Sequence, residues 1–480
     1  MDAHKKIQKS YEMDMCNGPV FTKLIAFAVP LILSGLLQLL FNAADIIVVG
    51  RFAGSDSLAA VGSTSSLINL LVNVFIGLSI GANVLVAQYY GARKYKDLEE
   101  TVHTSIVLAG VGGCILIGMG YFLADPMLTL MGSPENVRPL SVLYMKIFFL
   151  GMPATLVYNF GSAILRAVGD TRRPLYFLFF AGVVNVILNL FFVIQCSLGV
   201  AGVALATALS QTISALLIVR CLMKTEAPYQ LRLRKLKILP SKLIAIARIG
   251  LPAGMQGAIF SISNVLIQSS LNSFGSVAMA GSTASANIEG FVYTAMNAVY
   301  QTALSFTSQN FGARKFRRMT RILLYCLGIV TAIGVIMGGG AVLLGPQLLG
   351  IYSSDPEVIS YGMQRLRLVS GPYCICGLMD TMVGGLRGMG YSVIPMFVSL
   401  TGACALRIVW LFTVFIRYRS LSTLYVSYPV TWTVTFLAHV VSYLLIRRRI
   451  ARRLELEEAY KRRQTGVTAP DGEGNPSERV

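Results

Sequence analysis

This sequence is poor in charge. Asp, Glu, Lys and Arg make up 13% of its 480 residues, where a soluble domain carries roughly a quarter. It also lacks the clusters that catalysis needs. The three histidines (4, 103 and 439) are scattered, and there is no HExxH, no DDxxD and no phosphate-binding GxxxxGK[ST] loop. That speaks against a membrane-embedded metalloenzyme or an ATP-driven machine. The eight cysteines form no CxxC and no Cys/His spacing. Cys374 and Cys376 sit two apart on an expected helix and face different ways. The cysteines therefore read as small buried hydrophobes rather than ligands. The polar start, "MDAHKKIQKSYEMDMCNGP", has no apolar core with a small-residue cleavage site, so no cleaved signal peptide is expected.

The chain does have long apolar runs. Hydrophobic residues make up 55% of it and the mean hydropathy is +0.65. Stretches such as "LFFVIQCSLGVAGVALATALSQTISALLIV" exceed the roughly 18 residues that mark a spanning helix. Gly/Pro-containing breaks such as "ADPMLTLMGSPENVRP" and "YSSDPEV" punctuate them. The pattern predicts about twelve spans over 24–50, 58–90, 101–124, 139–165, 174–196, 200–223, 242–273, 277–311, 319–345, 358–387, 392–416 and 422–446. The expected class is an all-α polytopic membrane protein.

The net charge of +19 would suggest a nucleic-acid partner in a soluble protein. Here topology accounts for it, because Lys and Arg collect on cytoplasmic loops. With the N-terminus inside, Arg51, Arg138, Arg417 and Arg419 fall outside, and Lys146, Arg365, Arg367 and Arg407 fall within spans. The other 33 of the 41 basic residues (41 less these eight) lie on the cytoplasmic side. Both termini are thus expected in the cytoplasm and the chain in the cell membrane. Residues 224–241 form a basic connector between a first lobe (24–223) and a second (242–446). A cytoplasmic N-terminal segment (1–23) precedes them. A basic tail (447–480) follows as a positive-inside anchor, disordered past Gly466.

The halves repeat each other. "QYYGARK" (88–94) returns as "QNFGARK" (309–315), "AAVGSTSS" (59–66) as "AMAGSTAS" (278–285), and "LRAVGDTRRP" (165–174) as "LRGMGYSVIP" (386–395). Pro30 answers Pro252 and Pro153 answers Pro372. The offset stays between 219 and 222 residues. Six spans per half is even, so the halves run parallel about an axis along the membrane normal. Such duplicated bundles enclose a cavity and rock about it, the architecture of a secondary transporter. A channel fits two rocking halves less well. In the GARK stretches, Gly91 and Gly312 are expected to end their helices.

With "AxPLIL…NxxDxxxVGR", "QYYGARK", "LRAVGDTRRP" and "GVAGVALAT" on the page, the chain resembles the multidrug and toxic compound extrusion (MATE) transporters over residues 20 to 446. The resemblance implies twelve helices in two pseudo-symmetric six-helix lobes. It implies an antiporter that exports drug-like, often cationic, amphiphilic compounds in exchange for Na+ or H+. No other cofactor and no metal beyond Na+ is implied, and the transporter is expected to act as a monomer in the lipid bilayer. The alternative reading is a flippase for a lipid-linked or other amphiphilic substrate.

Ionisable groups inside a membrane are costly, so each is a functional candidate. Gln38, Asn42 and Asp45 follow i, i+4, i+7 spacing on one face of the first span. Asp45 lies roughly 9 Å from its outer end at 1.5 Å per residue. Asn185 and Asn189 share a face of the fifth span, and Thr207 lies at similar depth in the sixth. Four such oxygens suit Na+, and a carboxylate can instead take a proton. The resemblance points to the same four. In DinF-like members the first helix supplies an Asp, the fifth an Asn and an Asp one turn apart, and the sixth a Thr. Asn189 departs from that pattern by standing where the family has an acid. In the second half, Glu289 and Arg407 are expected at similar depth and to pair. Asp380 lies near the inner end of its span, too far along the helix from Arg387 for a local pair. Gln256 is a further cavity candidate. Pro30 and Pro252 are candidate helix bends, because proline removes a backbone donor.

Overall fold

The computed structural model describes residues 11–465 apart from residue 132. Every regular element among them is helical. In hydrocarbon a helix satisfies its own backbone without water. The first half comprises α1 (Val20–Phe52), α2 (Ser55–Gly91), α3 (Tyr95–Leu130), α4 (Arg138–Leu150), α5 (Met152–Ala167), α6 (Arg172–Leu190) and α7 (Gly199–Lys224). The second begins with α8 (Pro240–Asn272), α9 (Ser276–Gly312), α10 (Phe316–Ile333), α11 (Gly339–Leu343) and α12 (Gly345–Gly350). It continues through α13 (Pro356–Arg365), α14 (Cys374–Gly388), α15 (Val393–Ser399), α16 (Leu406–Trp410) and α17 (Leu421–Thr465). Several breaks are π-helical turns, at Phe191–Gln195, Gly334–Gly338, Leu366–Ser370, Leu400–Ala405 and Leu411–Phe415.

The result is twelve helical passages in two lobes. Among the described residues nine helical stretches are long and apolar enough to cross a membrane, and α4–α5 makes a tenth across a 48° bend. The other two are α9, diluted by Ser, Thr, Asn and Gly, and the broken α13–α14 path. The break between α4 and α5 falls at Gly151, beside Pro153 in the first turn of α5. Pro30 and Pro252, the candidate bends, lie in helices that continue past them, α1 and α8. The last helix, α17, runs unbroken from Leu421 to Thr465, past the expected end of the twelfth span near 446 and into the basic tail. The tail past 465 and the first ten residues lie outside the described residues. The cysteines also divide: Cys326, Cys376 and Cys404 are buried, while Cys114 and Cys196 are exposed.

The lobes meet along α2, which packs on α8 and α9, and along α1, which packs on α9. The α2–α8 seam is backbone on backbone. A Cβ on Gly250 would lie 2.6 Å from Leu78 Cα, and one on Gly254 would lie 2.7 Å from Val74 Cα. Gly77 and Gly81 face them from α2. Small residues four apart permit this approach, which association in lipid requires. The repeated GARK stretches form a second crossing. A Cβ on Gly91 would meet the Gln309 carbonyl carbon at 2.8 Å, and one on Gly312 the Gln88 carbonyl carbon at 2.8 Å. These two glycines therefore let the helices touch. The helices also end at these glycines, as expected, and Arg93 and Arg314 follow in the left-handed region, each at φ 56°.

Hydrogen bonds between the lobes lie towards the face that carries the segment before α1, the end of α17 and the connector. Ser305 Oγ donates to Asn83 Oδ1 at 3.2 Å, Gln88 Nε2 to the Gly388 carbonyl at 2.9 Å, and Gln309 Nε2 to the Ala167 carbonyl at 2.7 Å. Lys242 of α8 adds an ion pair with Asp97 of α3. The segment before α1 is strapped across the same face. Glu12 accepts from Tyr229 at 2.6 Å and Tyr90 at 3.0 Å in the first lobe and connector. Asn310 and Arg318 of the second lobe donate to the Met15 carbonyl. Gly169, at φ 98°, takes the left-handed backbone that glycine favours and lets the Met13 backbone lie against it. Among the described residues no hydrogen bond ties the lobes together at the opposite face.

The seam predicts a contrast between two alanine variants. Gly250→Ala is expected to destabilise the protein by about 1–3 kcal/mol, since the clash is with backbone. Gly118→Ala, with open space around its Cβ, is expected to be neutral or stabilising by up to about 1 kcal/mol. Thermal midpoints of the two variants in one detergent test this; equal midpoints would contradict the tight seam.

Candidate functional site

The first-lobe cluster assembles from three helices. Asp45 projects from α1, Asn185 and Asn189 from one face of α6, and Thr207 from α7. Asn189 Nδ2 donates to Asp45 Oδ1 and also lies 3.3 Å from Asn185 Oδ1. Asn185 Nδ2 in turn reaches Thr207 Oγ1 at 3.5 Å. The Thr207 hydroxyl lies against the Asp45 carboxylate as well. Both asparagines are buried, at 5% and 0% exposure. The structure thus brings together the four residues expected from spacing.

Two features of the cluster matter chemically. Asp45 has no cationic partner among the described residues, so its charge is unbalanced within the protein. Asn189 Oδ1 is buried and makes no hydrogen bond. An orphaned oxygen beside an unpaired carboxylate fits a cation, because one turn of the Asn189 amide would replace a donor by an acceptor. Oxygen donors are what a hard ion takes. Tyr144 of α4 is a residue the sequence reading missed; it lies close enough to interact electrostatically with Asp45. Nothing in its surroundings in the sequence marks it. Gln38 and Asn42 stay exposed and outside the cluster.

The second lobe departs from expectation. Glu289 pairs with Arg365, not with Arg407. Arg365 Nη2 lies 2.8 Å from Glu289 Oε2 and its Nε 3.0 Å from Oε1, a bidentate pair. Arg365 Nη1 also donates to Ser282 Oγ at 2.9 Å. The reason is rotational. Similar depth does not fix which way a side chain points, and α13 turns Arg365 onto α9. Arg407 instead donates from Nη2 to Thr431 Oγ1 at 3.0 Å, with its guanidinium 4.2 Å from the centre of the Tyr428 ring. Asp380 lies against the Tyr293 hydroxyl. Arg387 donates to Tyr300 at 2.9 Å and to Gln256 Oε1 at 2.8 Å. Gln256 is thereby a partner of Arg387. Asp380 and Arg387 form no ion pair, as their spacing along the helix indicated.

The connector and the repeated "LRAVGDTRRP" are structural by contrast. Asp170 accepts from the Arg172 and Arg173 amides at 3.1 Å each, holding the start of α6. Lys235 lies 2.7 Å from Glu99 and holds that carboxyl below its ordinary value.

Comparison with known proteins follows from this geometry. The MatE family profile matches residues 30–191 and again 252–413, which is the internal repeat at an offset of 222. Probable multidrug resistance protein YoeA of Bacillus subtilis is 27% identical over 427 residues, covering 87% of this chain and 92% of that protein. Probable multidrug resistance protein NorM of Thermotoga maritima is 25% identical over 84% of this chain and 87% of its own length. A solved multidrug resistance MATE transporter of the MOP superfamily, in an outward-facing conformation, superposes with a TM-score of 0.84 at 21% identity. It spans 91% of this chain and 97% of that one.

The Glu289–Arg365 pair generates a prediction. Arg365→Gln leaves a carboxylate buried without its partner and is expected to destabilise by about 3–5 kcal/mol. The double variant Arg365→Gln with Glu289→Gln is expected to recover most of that loss. A double variant no more stable than the single one, by thermal unfolding in detergent, would show that the two side chains do not act as a pair.

Proposed function

The chain belongs to the MatE family, whose members are transporters and not enzymes, and on that premise we propose that it exports drug-like amphiphiles bearing a cationic centre in exchange for Na+ or H+. Alternating access is the mode, with 24–223 and 242–446 as the rocking lobes. The observation that carries the ion half of this reading is Asp45. It is an acid at membrane depth with no cationic partner, ringed by Asn185, Asn189 and Thr207, beside the unsatisfied Asn189 oxygen. A carboxylate so placed is expensive unless an ion or proton visits it. With one carboxylate instead of two, the site exchanges a single positive charge per cycle.

Sidedness follows from the basic residues. The face carrying the segment before α1, the end of α17 and the connector holds most of the described Lys and Arg, so we assign it to the cytoplasm and the protein to the cell membrane. The inter-lobe bonds on that face then make this an outward-facing state. Asp380, among the described residues an acid with no ion pair, suits the cationic centre of the cargo. The single bundle of two lobes completes the pathway within one chain, which supports action as a monomer.

Efflux from proteoliposomes under separate Na+ and pH gradients tests the reading. Wild type should respond to one of the two gradients. Asp45→Asn should lose gradient-driven efflux by tenfold or more, about 1.4 kcal/mol or more of coupling. Undiminished coupled efflux by Asp45→Asn would reject the first-lobe site.

A further inference from the structure

The repeat lets the two lobes be compared position by position. Asp45 corresponds to Ile267, Asn185 to Arg407 and Asn189 to Leu411, each at an offset of 222, and Thr207 corresponds to Tyr428 at 221. The contact between Asn185 and Thr207 has its counterpart in Arg407 over the Tyr428 ring. Where the first lobe gathers oxygens around an acid, the second has a guanidinium, two apolar side chains and an aromatic face. Ile267 and Leu411 are buried and supply no acceptor.

Arg407 is left short of acceptors. It is only 5% exposed, its Nε is buried without a partner, and Thr431 is its one hydrogen-bond acceptor among the described residues. A guanidinium carries five donors. No carboxylate of the described residues lies within ion-pairing distance of it. Both Glu289 oxygens are taken by Arg365, and Asp380 lies against Tyr293. The flanking chain is π-helical on both sides, at Leu400–Ala405 and Leu411–Phe415. Such turns recur at functional sites. Tyr428 also packs edge-on against Trp432, with ring centres 5.5 Å apart, and Trp432 lies 5.4 Å from Tyr373. That aromatic wall suits the apolar body of an amphiphile.

We propose that Arg407 is an anion-recognition point, at which the second lobe receives the carboxylate or phosphate head of an amphiphile against the Tyr428–Trp432 wall. This extends the cargo from cationic amphiphiles to zwitterionic and anionic ones. It rests on the exporter reading for the source of the amphiphile, but the site itself can be tested by binding alone. An incoming anion supplies what Arg407 lacks, a charged acceptor in a low-dielectric setting, where charge-assisted bonds are strong. A lipid headgroup offers the same chemistry as an exported compound, so the test separates the two.

The chain's two tryptophans, Trp410 and Trp432, make the test direct. One is three residues from Arg407 and the other adjoins Thr431. The full-length protein in phosphatidylcholine nanodiscs is titrated with decanoate and, separately, with decyltrimethylammonium, following tryptophan fluorescence. Decanoate is expected to saturate the change in wild type. Arg407→Gln should weaken it by about tenfold or more and Arg407→Lys by less, with decyltrimethylammonium unmoved. Absence of a saturable decanoate response in wild type, undiminished decanoate binding by Arg407→Gln, or equal loss of both probes overturns the proposal. Stability gives a second reading. An Arg407 without an anion should be replaceable by Gln with an equal or higher thermal midpoint, whereas a drop as large as that of Arg365→Gln would make Arg407 a structural anchor and sink the idea. Adding phosphatidylglycerol to the nanodiscs separates the sources. Competition with decanoate assigns the site to lipid headgroups, and no competition assigns it to compounds entering between the lobes. Asp45→Asn efflux is read independently, so failure of the exporter reading would leave this binding result intact.

Discussion

A charge buried in a hydrocarbon layer must be paired, neutralised or visited by a counter-ion, and that constraint organises the polar interior of this protein. Glu289 and Arg365 satisfy it by a bidentate pair. Arg387 meets it in part, through the Gln256 oxygen and the Tyr300 hydroxyl, while its Nε stays without a partner. Asp45 and Arg407 do not satisfy it within the protein, and each belongs to the corresponding cluster of its own lobe, with Arg407 at the place that Asn185 takes in the first. The first lacks a cation and the second an anion. Groups left in that condition mark function, because a static fold would have selected a cheaper side chain.

Close backbone approach is the mechanical complement. The α2–α8 glycine seam and the Gly91–Gly312 crossing seal one face with main-chain contacts that no side chain could allow. The pre-α1 strap and the polar bonds from Asn83, Gln88 and Gln309 add direction to that seal. Packing in lipid gains little from the hydrophobic effect, so close fit and buried hydrogen bonds carry the association. The side-chain hydrogen bonds across that face, two of them to main-chain carbonyls, must break together when the lobes rock. That makes such a face suited to two states rather than to gradual flexing.

Much of the fold was legible in the sequence for simple reasons. Apolar runs of membrane length have one regular solution, the helix. The repeat set the register of the halves, and even helix count set their parallel sense. The Asp45 cluster was legible too, because i, i+4 spacing places Asn185 and Asn189 on one face and depth along a helix is countable. Less visible were features that depend on rotation and bending. Gly91 and Gly312 read as helix ends, which they are, but their second role as crossing points was not visible. Tyr144 carries no pattern at all.

The sequence by itself therefore determined the helices, their number, the duplication and the depth of each buried charge, since these depend on properties that add along the chain. Only the tertiary structure decided which charges meet. Glu289 and Arg407 were expected at similar depth, yet Glu289 meets Arg365, and that choice rests on the angle each helix turns towards its neighbour. That angle is set by packing across the whole lobe, by glycines, bends and π-helical turns together, and no local stretch of sequence contains it.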